Sequence, residues 1–159
     1  MPEAESRFPR RPPRIELFQN VRPFYFVTFN THGRRPVLAT PALHAAFLTF
    51  CQRAYAGHAI AVGRYVLMPD HAHLFVCLPV TGASLTNWVG QLKRQLGVGL
   101  GAAGVPRPFW QEGFFDHVMR TADSYSQKWD YVRQNPVRAG LCQRPEDWPC
   151  QGEIVPLRF

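Results

Sequence analysis

The chain has 159 residues, 46% of them hydrophobic, with a formal charge of +7. That length suits one domain with a proper core. No apolar run nears the roughly 20 residues of a membrane helix, and the start of the chain lacks the apolar stretch of a secretory signal, so a soluble cytoplasmic protein is expected.

Residues 1–16, rich in Arg, Pro and Glu, read as a flexible basic arm. Pro23 to Asn30 (PFYFVTFN) is aromatic and β-branched, the composition of a strand. Thr40-Pro41 opens a helix, with Thr40 as cap. Leu43, Ala46, Phe47, Phe50, Cys51 and Ala54 form its apolar stripe, and Gly57 is its expected C-cap. Ile60 to Met68 and His71 to Leu78 make two strands joined at Pro69-Asp70, an antiparallel hairpin. Ser84 caps a second helix whose buried face is Leu85, Trp88, Val89, Leu92 and Leu96, ending at Gly97. The Gly/Ala-rich stretch 97–108 reads as a mobile loop. Phe114 to Arg120 is a fourth strand. Thr121 caps a last helix from Ala122 to about Asn135, with Tyr125, Trp129 and Val132 inward and Pro136 as its stop. The remainder reads as irregular. The element order is that of an α+β, ferredoxin-like β-α-β-β-α-β plan with a central antiparallel sheet, plus one additional C-terminal helix.

Cys51, Cys77, Cys142 and Cys150 include no C-x-x-C pair, which is expected of free thiols in a reducing compartment. A zinc site at Cys142 and Cys150 would lack a neighbouring cluster of ligands. The charge is concentrated. Between Leu17 and Gln111 eight basic residues face a single acid, Asp70, and over the whole chain Arg outnumbers Lys sixteen to two. The guanidinium fork pairs bidentately with phosphate oxygens, so a polyanion, most simply nucleic acid, is the expected partner. Arg34, Arg35, Lys93, Arg94, Arg120 and Arg138 are the candidate phosphate contacts. Arg10, Arg11 and Arg14 of the arm either enter a minor groove or stay solvated.

His71-Ala72-His73 opens a strand, where residues i and i+2 share a face. The two imidazoles therefore project side by side, either as metal ligands or as polar residues on an exposed face. Asp70 beside them is a further ligand, a partner that orients an imidazole, or a plain turn residue. Tyr131 and Asn135 are one helical turn apart and share a side with Gln127. By spacing alone they read as a surface tyrosine and a helix terminator; the alternative is an amide that ligates a metal beside a phenolate that attacks a phosphate. Phe109 and Trp110 either stack on an unpaired base or pack into the core. His117 is either a structural histidine or a further ligand.

YVLMPDHAHLFVCLP (residues 65–79) and YVRQNPVRAGL (131–141) resemble the two signatures of the single-tyrosine HUH transposases, and more closely the REP-associated tyrosine transposases. WQEGFFDHVMR (110–120) and PFYFVTFNTHGRRPVL are similar to further segments of that family. The resemblance spans roughly residues 17–148 as one domain, with 149–159 an irregular tail. It implies that His71 and His73 bind Mg²⁺ or Mn²⁺, with Asn135 as third ligand. It also implies that Tyr131 is the nucleophile, linking covalently to the 5′-phosphate of single-stranded DNA. The implied substrates are DNA hairpins with flanking single strands, such as repetitive extragenic palindromes, met at the bacterial nucleoid. A monomer is favoured over a homodimer that exchanges the tyrosine helix. Asp70 departs from the family pattern, where Asn is common. Two alternatives stay open: a hairpin-binding protein with little catalysis, and a metal-dependent phosphodiesterase with water as nucleophile.

Overall fold

The computed structural model describes Arg22 and residues 24–159. The basic arm, residues 1–16, lies outside the described residues. The elements are β1 (Phe24–Asn30), α1 (Pro41–His58), β2 (Ala61–Leu67), β3 (His71–Cys77), α2 (Leu85–Ala102), β4 (Phe115–Met119), α3 (Ala122–Arg133), α4 (Asn135–Arg138) and β5 (Gln151–Glu153). The sheet is antiparallel throughout, in the order β4-β1-β3-β2-β5. The α+β plan is as the sequence predicts, with one strand more.

The helices start where the sequence places them. Thr40 Oγ1 accepts from the Leu43 amide at 3.2 Å. Ser84 Oγ accepts from Asn87 at 3.3 Å. Thr121 and Ser124 form a reciprocal capping box. Such caps are local, so they are legible from adjacent residues.

The helix ends differ from expectation. α1 runs through Gly57 to His58 and closes on Ala59 in a left-handed conformation, φ 54°. α2 does not stop at Gly97 but continues to Ala102. Its glycines are packing surfaces rather than breakers. A Cβ on Gly99 would come within 2.7 Å of Leu43 on α1, and one on Gly97 within 3.1 Å of Phe109. Close helix contact outweighs the roughly 1 kcal/mol that each glycine costs a helix.

The chain after Pro136 is ordered too, which corrects the irregular tail. Pro136 sits in the first turn of α4, where its missing N–H is harmless. β5 then adds to the sheet beside β2, pairing Tyr65 with Gly152. The Trp148 indole donates to the Leu67 carbonyl at 2.9 Å. Leu157 packs at Gly63, and Phe159 lies 4.5 Å from the Phe24 ring. Residues 149–159 therefore belong to the domain.

α1 and α2 cover one face of the sheet, burying Val27, Phe29, Val62, Leu74 and Val76 with Phe47, Leu92 and Leu96. α3 covers part of the other, closing Phe24, Phe26, Phe75 and Met119 under Tyr125 and Val132. All four cysteines are free.

Candidate functional site

Direct cross-strand partners point to the same face of an antiparallel sheet. On the face that α3 half covers, one row holds Asn30 and His71 and the next holds Thr28 and His73. Ala72 and Leu74, between and beyond the histidines, are fully buried on the opposite face. The His71 and His73 rings lie 4.7 Å apart and nearly perpendicular, at 81°.

Each imidazole is anchored through Nδ1. His71 Nδ1 lies 2.7 Å from Asp70 Oδ1. His73 Nδ1 lies 2.7 Å from Thr28 Oγ1. With each Nδ1–H donating to that oxygen, both Nε2 lone pairs are left for a ligand. The anchors are themselves held. Arg34 Nε donates to Asp70 at 2.9 Å and its Nη1 to Asn30 Oδ1 at 2.6 Å. Thr31, fully buried, ties the turn together by donating to the carbonyls of Arg35 and Asp70. Phe26 stacks on the His73 ring at 5.4 Å.

Burial lowers both histidine pKa values. His73 is brought down to about 3, first by burial and then by the charges of His71, Lys128, Arg34 and Arg138. His71 is lowered by burial, against the upward pull of its bond and charge interaction with Asp70. For Asp70, burial pushes upward, but His71 and Arg34 together hold it below the ordinary carboxylate range. Both imidazoles are thus neutral near pH 7, the form in which histidine ligates a metal. Among the described residues no three His, Cys, Asp or Glu side chains form a ligand cluster.

Tyr131 projects from α3 and is 64% exposed. It borders a cleft of about 280 Å³ that His117, Met119, Ser124, Gln127 and Lys128 also line. The β1–β4 register sets His117 opposite Phe26, on the histidine face. Asn135 begins α4, so α3 and α4 are separate helices and no unbroken helix carries both residues. Arg138 joins them instead. Its guanidinium sits 4.2 Å from the Tyr131 ring centre and donates to the Tyr131 carbonyl at 2.7 Å and to Asn135 Oδ1.

The remaining cations divide by what they touch. Arg35 donates to the backbone carbonyls of His32, Pro106 and Pro108. Lys93 donates to the carbonyls of Gln111 and Gly113 and lies 5.7 Å from the Phe29 ring centre. Arg94 and Arg120 are exposed. Phe109 and Trp110 are half-buried and pack against the core, with Trp110 edge-on to Phe29 at 5.3 Å. Sequence reasoning missed Thr28, Asn30, Phe26 and Lys128. Their only sequence signal is β1 alternation, and that is uninformative until the register with β3 is known.

The site is thus a half-covered antiparallel sheet that presents two anchored histidines, with an exposed tyrosine on the helix packed against the same face. No protein-family model matches the chain. The chain is 26% identical over 129 residues to a REP-associated tyrosine transposase of Escherichia coli K12, covering 79% of this chain and 73% of that protein. It is also 26% identical over 143 residues to a Haemophilus influenzae protein provisionally given the same name, covering 79% and 76%. Among solved structures it superposes on a REP-associated tyrosine transposase bound to a REP hairpin, with TM-score 0.68, 25% identity, and 81% and 75% coverage. A Deinococcus radiodurans protein provisionally described as a transposase shares the fold, with TM-score 0.52, 15% identity, and 79% and 97% coverage. These likenesses bear out the resemblance: over about four fifths of its length the chain is similar to REP-associated tyrosine transposases. Among the described residues no helix is long and apolar enough to cross a membrane.

Proposed function

We propose that the chain is a metal-dependent single-stranded DNA endonuclease and strand transferase. It would act on hairpin DNA with a flanking single strand, of the repetitive extragenic palindrome type. The observation that carries this reading is the histidine pair: two neutral imidazoles side by side, each anchored at Nδ1, on the sheet face against which the tyrosine-bearing helix α3 packs. The hairpin-bound relative supports the substrate class.

His71 and His73 would hold Mg²⁺ or Mn²⁺, and Asn135 would add an amide oxygen, a donor suited to hard cations. The ion would supply charge stabilisation for the phosphoryl oxygens. Tyr131 is the nucleophile. Its phenolic oxygen forms a bond to the 5′-phosphate and loses its proton, while the bond from phosphorus to the 3′-oxygen breaks and that oxygen takes up a proton. The 3′-hydroxyl so freed can attack the phosphotyrosine in reverse, rejoining DNA without an external energy source. Arg138 holds the phenol ring and Asn135 in register, and Lys128 brings a second positive charge near His73.

The test is incubation with labelled hairpin DNA and Mn²⁺, read on a denaturing gel. A protein–DNA adduct is expected, absent with Tyr131→Phe and with chelator. An adduct that survives Tyr131→Phe removes the nucleophile assignment. Cleavage with no adduct makes water the nucleophile, and binding with neither makes the chain a hairpin-binding protein.

A further inference from the structure

One cavity lies apart from the histidine site. It is a groove of about 840 Å³ between α2 and the segment 107–110, on the helix-covered side of the sheet. Its floor is apolar: Gly97, Val98 and the rings of Phe109 and Trp110. Of the described residues that line it, Lys93, Arg94 and Arg107 are cationic and none is acidic. Lys93 is committed to backbone carbonyls, which leaves Arg94 and Arg107 as the exposed cations at the rim. The Arg107 guanidinium lies 5.3 Å from the centre of the Phe109 ring.

The groove adjoins the histidine face around one edge. The Gln111 amide donates to the Asn30 carbonyl at 3.0 Å, and the side-chain amides of the same two residues meet at 3.2 Å. Asn30 in turn accepts from Arg34, which holds Asp70 and His71. Asn30 and Gln111 thus link the histidine site to the segment that carries Trp110 and lines the groove.

We propose that this groove binds unpaired nucleotides of a single DNA strand, continuous with the strand at the histidine site. The chemistry fits that occupant better than a duplex. A ring face and an apolar floor are of use only to a base whose own faces are exposed, and in a duplex the neighbouring pairs cover them. Rim arginines without carboxylates match a phosphate backbone, and an arginine already stacked on a phenyl ring can stack equally on a base. The proposal rests on the single-stranded DNA reading above, naming where the unpaired flank is held.

The test uses Tyr131→Phe as background, so that binding is measured without the covalent step. Affinity is compared for one hairpin with and without its single-stranded flank. Val98 is 68% exposed, so Val98→Asp places a negative charge in the groove without disturbing the core. Val98→Asp and the double variant Arg94→Ala/Arg107→Ala should each weaken binding of the flanked hairpin about tenfold or more, leaving the blunt hairpin unchanged. Bromodeoxyuridine in the flank should crosslink to the peptide carrying Phe109 and Trp110. Equal weakening for both DNAs would give the groove to duplex and overturn the proposal. So would unchanged binding of both, or a crosslink mapping elsewhere. Adduct formation by the unmodified chain is assayed in parallel, so failure of the groove and failure of the nuclease reading give different results.

Discussion

The two faces of one sheet have opposite characters, and strand β3 shows it residue by residue. Ala72, Leu74 and Val76 point to the face that α1 and α2 close, and each is fully buried. His71 and His73 point to the face that α3 only half covers, and each imidazole meets a polar partner there. A closed face contributes stability through apolar burial, at about 25 cal/mol per Å². A half-covered face can hold polar groups in fixed geometry while leaving one side of them open to a ligand. The strand that anchors the core thus also sets the site's precision, because alternate residues of one backbone serve both.

Substitution should separate the two faces. His71→Gln or His73→Gln should lower adduct formation by on the order of a hundredfold to a thousandfold. The same variants should cost no more than about 1.5 kcal/mol in urea unfolding, the scale of one lost hydrogen bond. Leu74→Ala, one residue along and facing the other way, should behave inversely. It should cost about 2–5 kcal/mol of stability, while the fraction that remains folded forms adduct at the usual rate. A Leu74→Ala protein that is stable but inactive would erase the division between the faces.

Arg138 sharpens the comparison on the open face. Its contacts to Tyr131 and Asn135 make it a positioning residue. Arg138→Ala should slow adduct formation at saturating DNA about tenfold, with Kd and salt dependence unchanged, and Arg138→Lys should restore little of the planar stacking. If Arg138 instead contacts phosphate, binding weakens and the salt slope falls by about one, with the saturated rate intact.

The open face also carries a pH dependence of its own. In the fold His73 takes up its proton only near pH 3, against about 6.5 when unfolded. Below pH 6.5 the unfolded chain therefore binds a proton that the fold refuses. Stability in chelator should fall as pH drops from 6.5 towards 3, by at most about 1.4 kcal/mol per pH unit from this group. The loss is absent above pH 6.5. His73→Gln should flatten the slope in urea midpoints measured across that range, and an unchanged slope would assign the acid sensitivity to other groups.

Much of this was legible in the chain itself. Caps at Thr40, Ser84 and Thr121 act within one turn, so neighbouring residues determine them. The His-x-His spacing on a strand determines a shared face for His71 and His73, because the side-chain period of a strand is two. The order of elements determined the α+β plan. Other features depended on which segments come together. That Gly97 and Gly99 continue a helix depended on Phe109 and Leu43, residues distant in sequence that fill the space a side chain would take. That residues 151–153 form a strand depended on the open edge of β2. Thr28 as the anchor of His73, and Arg138 as the link between Tyr131 and Asn135, came from register and from the break between α3 and α4. Short-range hydrogen bonding and side-chain periodicity are properties of the sequence. The partners that orient an imidazole or hold a nucleophile come from packing between segments, and only the tertiary structure decides those.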